Sequence, residues 1–287
     1  MKIMWQDYYR PRTIDEALEI LAAHNGEARI IAGGTDLVLD LKNKSKQARY
    51  LVDIRSIEGM GVIEEKGGKI YLGAGVTHSQ AANSQLIREK ATALAEAAAQ
   101  VGSLQIRNVG TVVGNVVNAQ PAADAAVALV ALEAEAEIVH TDGRRELVKV
   151  EDLYVGPGHS KVDSTRSIVT GVYIPERANC RSVFGRIAPR RSLALPVINV
   201  AVTLALEGRR VSYTRIAAGP VGFKPLRLGE VEDFLLGKEL SDEIIRGACK
   251  KAAEIAQPRN SRLRGSKEYR QYLVGVLLER AYKELAG

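Results

Sequence analysis

Two adjacent glycines, Gly33 and Gly34, separate a short apolar run, "ARII", from an amphipathic one, "DLVLDLK". Such a pair constrains the chain strongly, because glycine opens backbone angles closed to other residues and lets another backbone or a ligand approach closely. Placed between a strand and a helix, the turn can aim several N–H groups at one anion. In "AGGTD" those donors come from Ala32, Gly33, Gly34 and Thr35, with the Thr35 hydroxyl beside them. Asp36 repels a phosphate, so it either caps the next helix or bonds a neutral part of a ligand. The spacing alone also fits a plain connection. It is neither the GxGxxG dinucleotide fingerprint nor a phosphate loop ending in GKS or GKT.

A second segment, "RNVGTVVGNVVNAQPAAD" from Arg107 to Asp124, repeats the pattern. Gly114 interrupts a β-branched run, which reads as a strand with a bulge or a close approach. Asn115 and Asn118 on a buried strand need hydrogen-bond partners. Asp124 follows Pro121 and precedes "AAVALVAL", the place of a helix N-cap. Two polar, glycine-interrupted segments in one chain point toward a ligand, which these residues alone do not name.

The remaining pattern reads as α+β in three lobes. In the first, residues 1–57, Thr13 caps a helix with the apolar stripe Ile14, Ala17, Leu18 and Leu21. Glu16 sits where a capping box needs it, and Gly26 stops the helix. The strand "ARIIAGG", a helix from Asp36 and the strand "ARYLVDI" complete a small α/β unit. The second lobe, 58–176, opens with a hairpin turned at Gly67-Gly68. One long Ala-rich helix ending at Gly102, the strand "TVVGNVVN" and a helix leading to a hairpin at Asp142-Gly143 follow. "EDLYVGPGHSKVDSTRS" reads as loop and "SIVTGVYIP" as strand. The third lobe, 177–287, contains three or four strands and then two helices joined by the basic linker "QPRNSRLRG".

Composition narrows the function classes. The net charge is +6, but Lys and Arg are interleaved with Asp and Glu, and no aromatic-rich basic ribbon is present. Nucleic acid is therefore not the expected partner, and an anionic cofactor or acidic partner accounts for the excess equally well. No apolar run is long enough for a membrane span, and "MKIMWQDYYRPRT" has no apolar signal region, so export is not expected. Cys180 and Cys249 are the only cysteines, which fits a reducing cytoplasm. His24, His78, His140 and His159 lack ligand spacing and read as surface or capping residues; no metal site is expected.

The motifs carry a resemblance. "RPRTIDEALEIL", "AGGTDLVLDLK", "LGAGVTH", "QIRNVGTVVGNVVNAQPAADAAVALVAL", "VGPG", "IVTGVYIP" and "RLRGSKEYRQYL" together cover nearly the whole chain. In them it resembles the FAD-binding medium subunit of the molybdenum hydroxylases, the family of carbon monoxide dehydrogenase and bacterial xanthine dehydrogenase. The resemblance implies a two-lobed FAD-binding domain of the vanillyl-alcohol-oxidase type, followed by a C-terminal antiparallel sheet with helices. It also implies that two turns from adjoining lobes clasp the FAD diphosphate. Ala32, Gly33, Gly34, Thr35 and Asp36 would lie on one side and Thr111, Val112, Val113, Gly114 and Asn115 on the other, with Asp124 reaching the same cofactor. Val113 stands where the family usually has the first of two glycines, and Gln120 where it has Ser.

Relatives acting on aromatic thioesters carry an inserted four-cysteine loop for an extra cluster, which two isolated cysteines cannot supply. By the same resemblance, molybdopterin would sit on a large partner subunit and 2Fe–2S centres on a small one. Electrons would pass through FAD to NAD or another acceptor. Arg190 and Arg191 would screen a reduced flavin or make surface or subunit contacts. The alternatives are an assembly subunit with weak or no FAD binding, and a free-standing flavin reductase or oxidase. A valine at Gly34 is expected to block FAD while leaving the fold largely intact.

Overall fold

A computed structural model describes residues 4–190 and 192–286. The first lobe consists of β1 (Asp7–Tyr9), α1 (Ile14–Ala23), β2 (Ala28–Ile31), α2 (Leu37–Lys42) and β3 (Tyr50–Asp53). Its three strands run parallel in the order β1-β3-β2. A parallel sheet must be covered on both faces. Ala17, Leu18 and Leu21 of α1 pack into the main core, while Leu41 of α2 joins Ile31 and Leu51 in a small cluster. Thr13 Oγ1 accepts the Glu16 N–H at 3.1 Å and caps α1. The Glu16 carboxylate returns to the Arg12 N–H at 2.7 Å, so the expected capping box is displaced by one residue.

The second lobe contains β4 (Ile63–Lys66), β5 (Lys69–Gly73), α3 (His78–Asn83), α4 (Gln85–Lys90), α5 (Thr92–Gln100), α6 (Leu104–Arg107), α7 (Val112–Val117) and α8 (Asp124–Ala131). The strands β6 (Glu135–His140), β7 (Arg145–Lys149), β8 (Tyr154–Gly156), β9 (His159–Ser160) and β10 (Ser167–Pro175) follow. A five-stranded antiparallel sheet has the order β4-β5-β10-β6-β7.

Three sequence expectations fail in this lobe. "TVVGNVV" is the helix α7, because the Thr111 hydroxyl caps it and burial of Val112, Val113 and Val116 outweighs the modest helix cost of valine. The expected long helix breaks into α4 and α5 at Ala91, whose φ of −140° and ψ of 49° leave the helical region. The stretch expected as loop after Lys149 contains a 3₁₀ turn, Val150–Leu153, and the β8–β9 ribbon.

The third lobe contains β11 (Arg181–Ile187), β12 (Ile198–Glu207), β13 (Arg210–Gly219), β14 (Leu226–Arg227), α9 (Gly229–Leu235), α10 (Asp242–Ile255) and α11 (Lys267–Ala286). Its antiparallel sheet, in the order β11-β12-β13-β14, is covered on both faces. Val200, Val202 and Leu204 belong to a core with Leu273, Leu277 and Leu278 of α11. Ala201 and Ala217 belong instead to the main core, with Ala93 and Ala97 of α5 and Ala125 and Ala128 of α8. Alanine on these facing surfaces lets helix and sheet approach closely.

Arg270 of α11 is 4% exposed and has no carboxylate partner among the described residues. Its guanidinium donates to the carbonyls of Val197 at 3.2 Å, Arg259 at 2.7 Å and Pro220. Burial, helped by Arg264 and Arg259, lowers its affinity for the proton. Those three carbonyls would lose their donor in an Arg270→Met variant. Urea unfolding should show a loss of about 2–4 kcal/mol; a change below about 0.5 kcal/mol would contradict the assignment.

Candidate functional site

β2 ends at Ile31 and the chain turns through Ala32–Asp36 before α2. The two glycines meet different demands. Gly34 has φ +67°, the left-handed region, and turns the chain. Gly33 permits contact: a Cβ there would lie 2.2 Å from the Val109 carbonyl oxygen and 2.8 Å from Gly110 Cα. One glycine bends the first lobe; the other lets its backbone touch that of the second. The N–H groups of Gly33, Gly34, Thr35 and Asp36 have no backbone partner among the described residues. Asp36 occupies the N-cap position of α2, but its side chain makes no capping bond; it accepts only a long 3.4 Å bond from the Thr35 hydroxyl.

The facing bend runs from Val109 into α7. The Gly110 carbonyl accepts the His78 N–H and the Val76 carbonyl accepts the Val112 N–H, each at 3.0 Å, which fixes the bend to the β5–α3 connection. Thr111 Oγ1 accepts the Gly114 N–H at 3.0 Å.

Both bends line one cleft with a volume of about 430 Å³, within the roughly 300–1,000 Å³ common for small-molecule and cofactor sites. Ala32, Gly33, Gly34, Thr35 and Asp36 border it from the first lobe, and Thr111, Val113, Gly114 and Asn115 from the second. The Val113 side chain is 3% exposed and part of the main core, so it packs into the wall. Val112 does not line the cleft.

Asp124 does not line it either. It is the first residue of α8, with Ala123 as N-cap. Its carboxylate accepts from Asn199 Nδ2 at 2.6 Å and Arg186 Nη1 at 2.9 Å, on strands of the third lobe. Burial pushes this carboxyl up to about 6, against the pull of Arg186 and Asn199. Arg186 also donates to the carbonyls of Gln100 and Ala194. Exposed Arg190 folds back on the Ser192 and Leu193 carbonyls and does not line the cleft, and Arg191 lies outside the described residues.

The sequence reading missed a third wall, formed by residues 158–164, and the polar side chains Arg29, Lys46 and His78. An arginine inside the apolar run "ARII" was the available signal. His78, read as a surface or capping residue, is instead 2% exposed. Arg29, Lys46 and Lys161 line the cleft together with Asp36 and Asp163, and Lys46 is paired with Asp40 at 2.9 Å. Burial lowers the proton affinity of the Arg29 guanidinium, opposed by Asp163 and Asp40.

Among the described residues five buried side-chain polar atoms lack a hydrogen-bond partner, and three belong to residues of this cleft: Arg29 Nε, His78 Nδ1 and Asn115 Oδ1. Such groups are costly without a partner, so their concentration here fits a site completed by a polar ligand. Free N–H groups, a glycine-to-glycine contact and the cations Arg29 and Lys161 suit a phosphate-bearing cofactor. Among the described residues no cluster of three His, Cys, Asp or Glu could hold a metal, and no helix is long and apolar enough to cross a membrane.

Comparison with known proteins agrees in extent. A family model for the FAD binding domain in molybdopterin dehydrogenase matches residues 3–177, and one for the CO dehydrogenase flavoprotein C-terminal domain matches residues 184–285. The nicotine 6-hydroxylase medium subunit of Paenarthrobacter nicotinovorans is 33% identical, over 99% of this chain and 98% of that one. The glyceraldehyde dehydrogenase medium chain of Sulfolobus acidocaldarius is 29% identical, over 97% and 98%. A structure of reconstituted CO dehydrogenase from Oligotropha carboxidovorans superposes with a TM-score of 0.92 at 26% identity, covering 100% of this chain and 99% of that one.

Two measurements test the geometry. Gly33→Ala places a methyl group against the Val109 carbonyl and should destabilise the protein by about 1–3 kcal/mol in urea unfolding; an unchanged midpoint would refute the contact. Valine at Gly34 would force a β-branched residue to φ +67° with its Cβ 2.9 Å from Ile31 Cδ1, so strain would accompany any loss of FAD in that variant. Asp124 binds its proton more tightly folded than unfolded, so its contribution to stability falls as pH rises from about 4 to about 6. His78, held down to about 4 by burial and then Arg107, acts in the opposite sense over that interval. Asp124→Asn should therefore leave stability rising more steeply with pH between 4 and 6 than in wild type. Parallel profiles would refute the assignment.

Proposed function

The chain belongs to the family of FAD-binding domains of molybdopterin dehydrogenases, and from that premise we propose that its cleft seats the FAD of an electron-transferring medium subunit. The observation that carries the proposal is the shared cleft of the two glycine bends, with the unpartnered Arg29 Nε and Asn115 Oδ1 on its walls. Gly33, Gly34 and Thr35 would bind the diphosphate through backbone N–H groups and the Thr35 hydroxyl. Thr111, Val113, Gly114 and Asn115 would close on it from the second lobe. Arg29 and Lys161 would offset its charge. Bound FAD would supply the chemistry of accepting and releasing electrons, and the chain's task is to hold and orient it.

Val112 and Asp124 would act indirectly. Val112 anchors its bend through the Val76 carbonyl, and Asp124 joins the second lobe to the third. The medium-subunit names of the relatives support a place in a complex with a molybdopterin-carrying large subunit and an iron–sulfur small subunit. The final acceptor would be NAD or another oxidant, and the complex would work in the cytoplasm, where the free thiols of Cys180 and Cys249 are at home.

The full chain, purified, should carry or take up one FAD, seen as flavin absorbance bands and a saturating titration. Gly114→Val should lower flavin content well below one per chain; because its Cβ would lie 2.8 Å from Thr111 Oγ1, the hydroxyl that caps α7, the far-UV circular dichroism is measured beside the flavin content to show that the variant is folded. A wild-type chain that binds no FAD, or a folded Gly114→Val variant that keeps it fully, would overturn the proposal.

A further inference from the structure

Gly110 sits at a close approach of groups from both lobes. A Cβ on it would stand 3.0 Å from the Ile106 carbonyl oxygen, 3.4 Å from Thr35 Oγ1 and 3.6 Å from His78 Cδ2. The Thr35 hydroxyl and the Cδ2 edge of the His78 imidazole therefore converge on one spot, beside the bend formed by Gly33 and Gly34. The main chain fixes His78 there: its N–H donates to the Gly110 carbonyl at 3.0 Å, and the preceding Thr77 forms a capping box with Gln80.

The two ring nitrogens are not equivalent. Nδ1 is sealed from solvent and has no partner. A proton there would be a buried, unsatisfied N–H, which folded proteins almost never retain; a bare lone pair is tolerated more readily. The proton therefore belongs on Nε2, which adjoins Cδ2 on the edge facing Gly110 and has no hydrogen-bond partner among the described residues. A phosphate oxygen only accepts hydrogen bonds, so this tautomer alone can bond to one. Burial and the nearby Arg107 charge keep the ring neutral.

We propose that His78 is a further FAD-binding residue, a neutral imidazole that donates its Nε2–H to an oxygen of the cofactor's diphosphate in the cleft it lines with Thr35 and Gly110. This rests on the FAD reading above and adds a residue and a protonation state to it. A neutral donor grips the diphosphate without placing a second cation beside the half-buried Arg107.

The test uses the full chain stripped of flavin and titrated with FAD. His78→Phe should weaken binding about tenfold, the worth of one neutral hydrogen bond to an anion. His78→Gln, which keeps a neutral donor, should recover most of that loss. The 15N spectrum of wild type at neutral pH should show the proton on Nε2, and its signal should move downfield when FAD is added. A Phe variant with wild-type affinity, a Gln variant as impaired as the Phe variant, or a proton on Nδ1 would each overturn the proposal. A wild-type chain that takes up no FAD would sink the FAD reading itself, and this inference with it.

Discussion

The contact between Gly33 and the Val109–Gly110 backbone is the constraint on which the site depends. Two main chains can lie this close only where neither carries a side chain between them, and a single Cβ at Gly33 would overlap the Val109 carbonyl. The contact is made by lobes with separate sheets, one parallel and one antiparallel. Each lobe has its own reasons to fold, but only their juxtaposition creates the cleft. The β5–α3 connection aligns the second bend by accepting the Val112 N–H and by placing His78 against Gly110.

The polar groups around the cleft follow the same logic. Most buried polar atoms find partners inside a protein, and each exception calls for an explanation, of which a bound ligand is one. Arg29, His78 and Asn115 come from three distant parts of the chain, yet their unpartnered atoms all belong to residues of one cavity. Asp124 makes the contrast. It is buried but engaged by Arg186 and Asn199, which makes it a joint between lobes and not a cleft residue.

Much of this was legible in the sequence, and the failures have physical causes. The glycine pair announced a close approach, and the approach is there. The helix α1, with Thr13 and its apolar stripe, followed from local rules alone. By contrast, "TVVGNVV" has strand-like residues and a helical backbone, because the Thr111 cap and burial in the main core are tertiary facts that composition does not carry. His78 was passed over because a lone histidine has no spacing signature; its importance comes from Gly110 and Thr35, which the fold brings to it. Likewise, nothing near Asp124 in sequence reveals that its partners lie beyond residue 180.

The alanines of α5 and α8 have a consequence for how the chain can be divided. They form a wall against which Phe184, Ala201 and Ala217 of the third sheet are packed, within the same hydrophobic cluster as the first two lobes. A fragment ending at Pro175 would keep both glycine bends yet lay that wall bare to water, inviting self-association. The reciprocal fragment would expose one face of β12. Cleavage in the short link before Arg181 would therefore yield two sticky halves, and evolution has little freedom to shuffle either one separately.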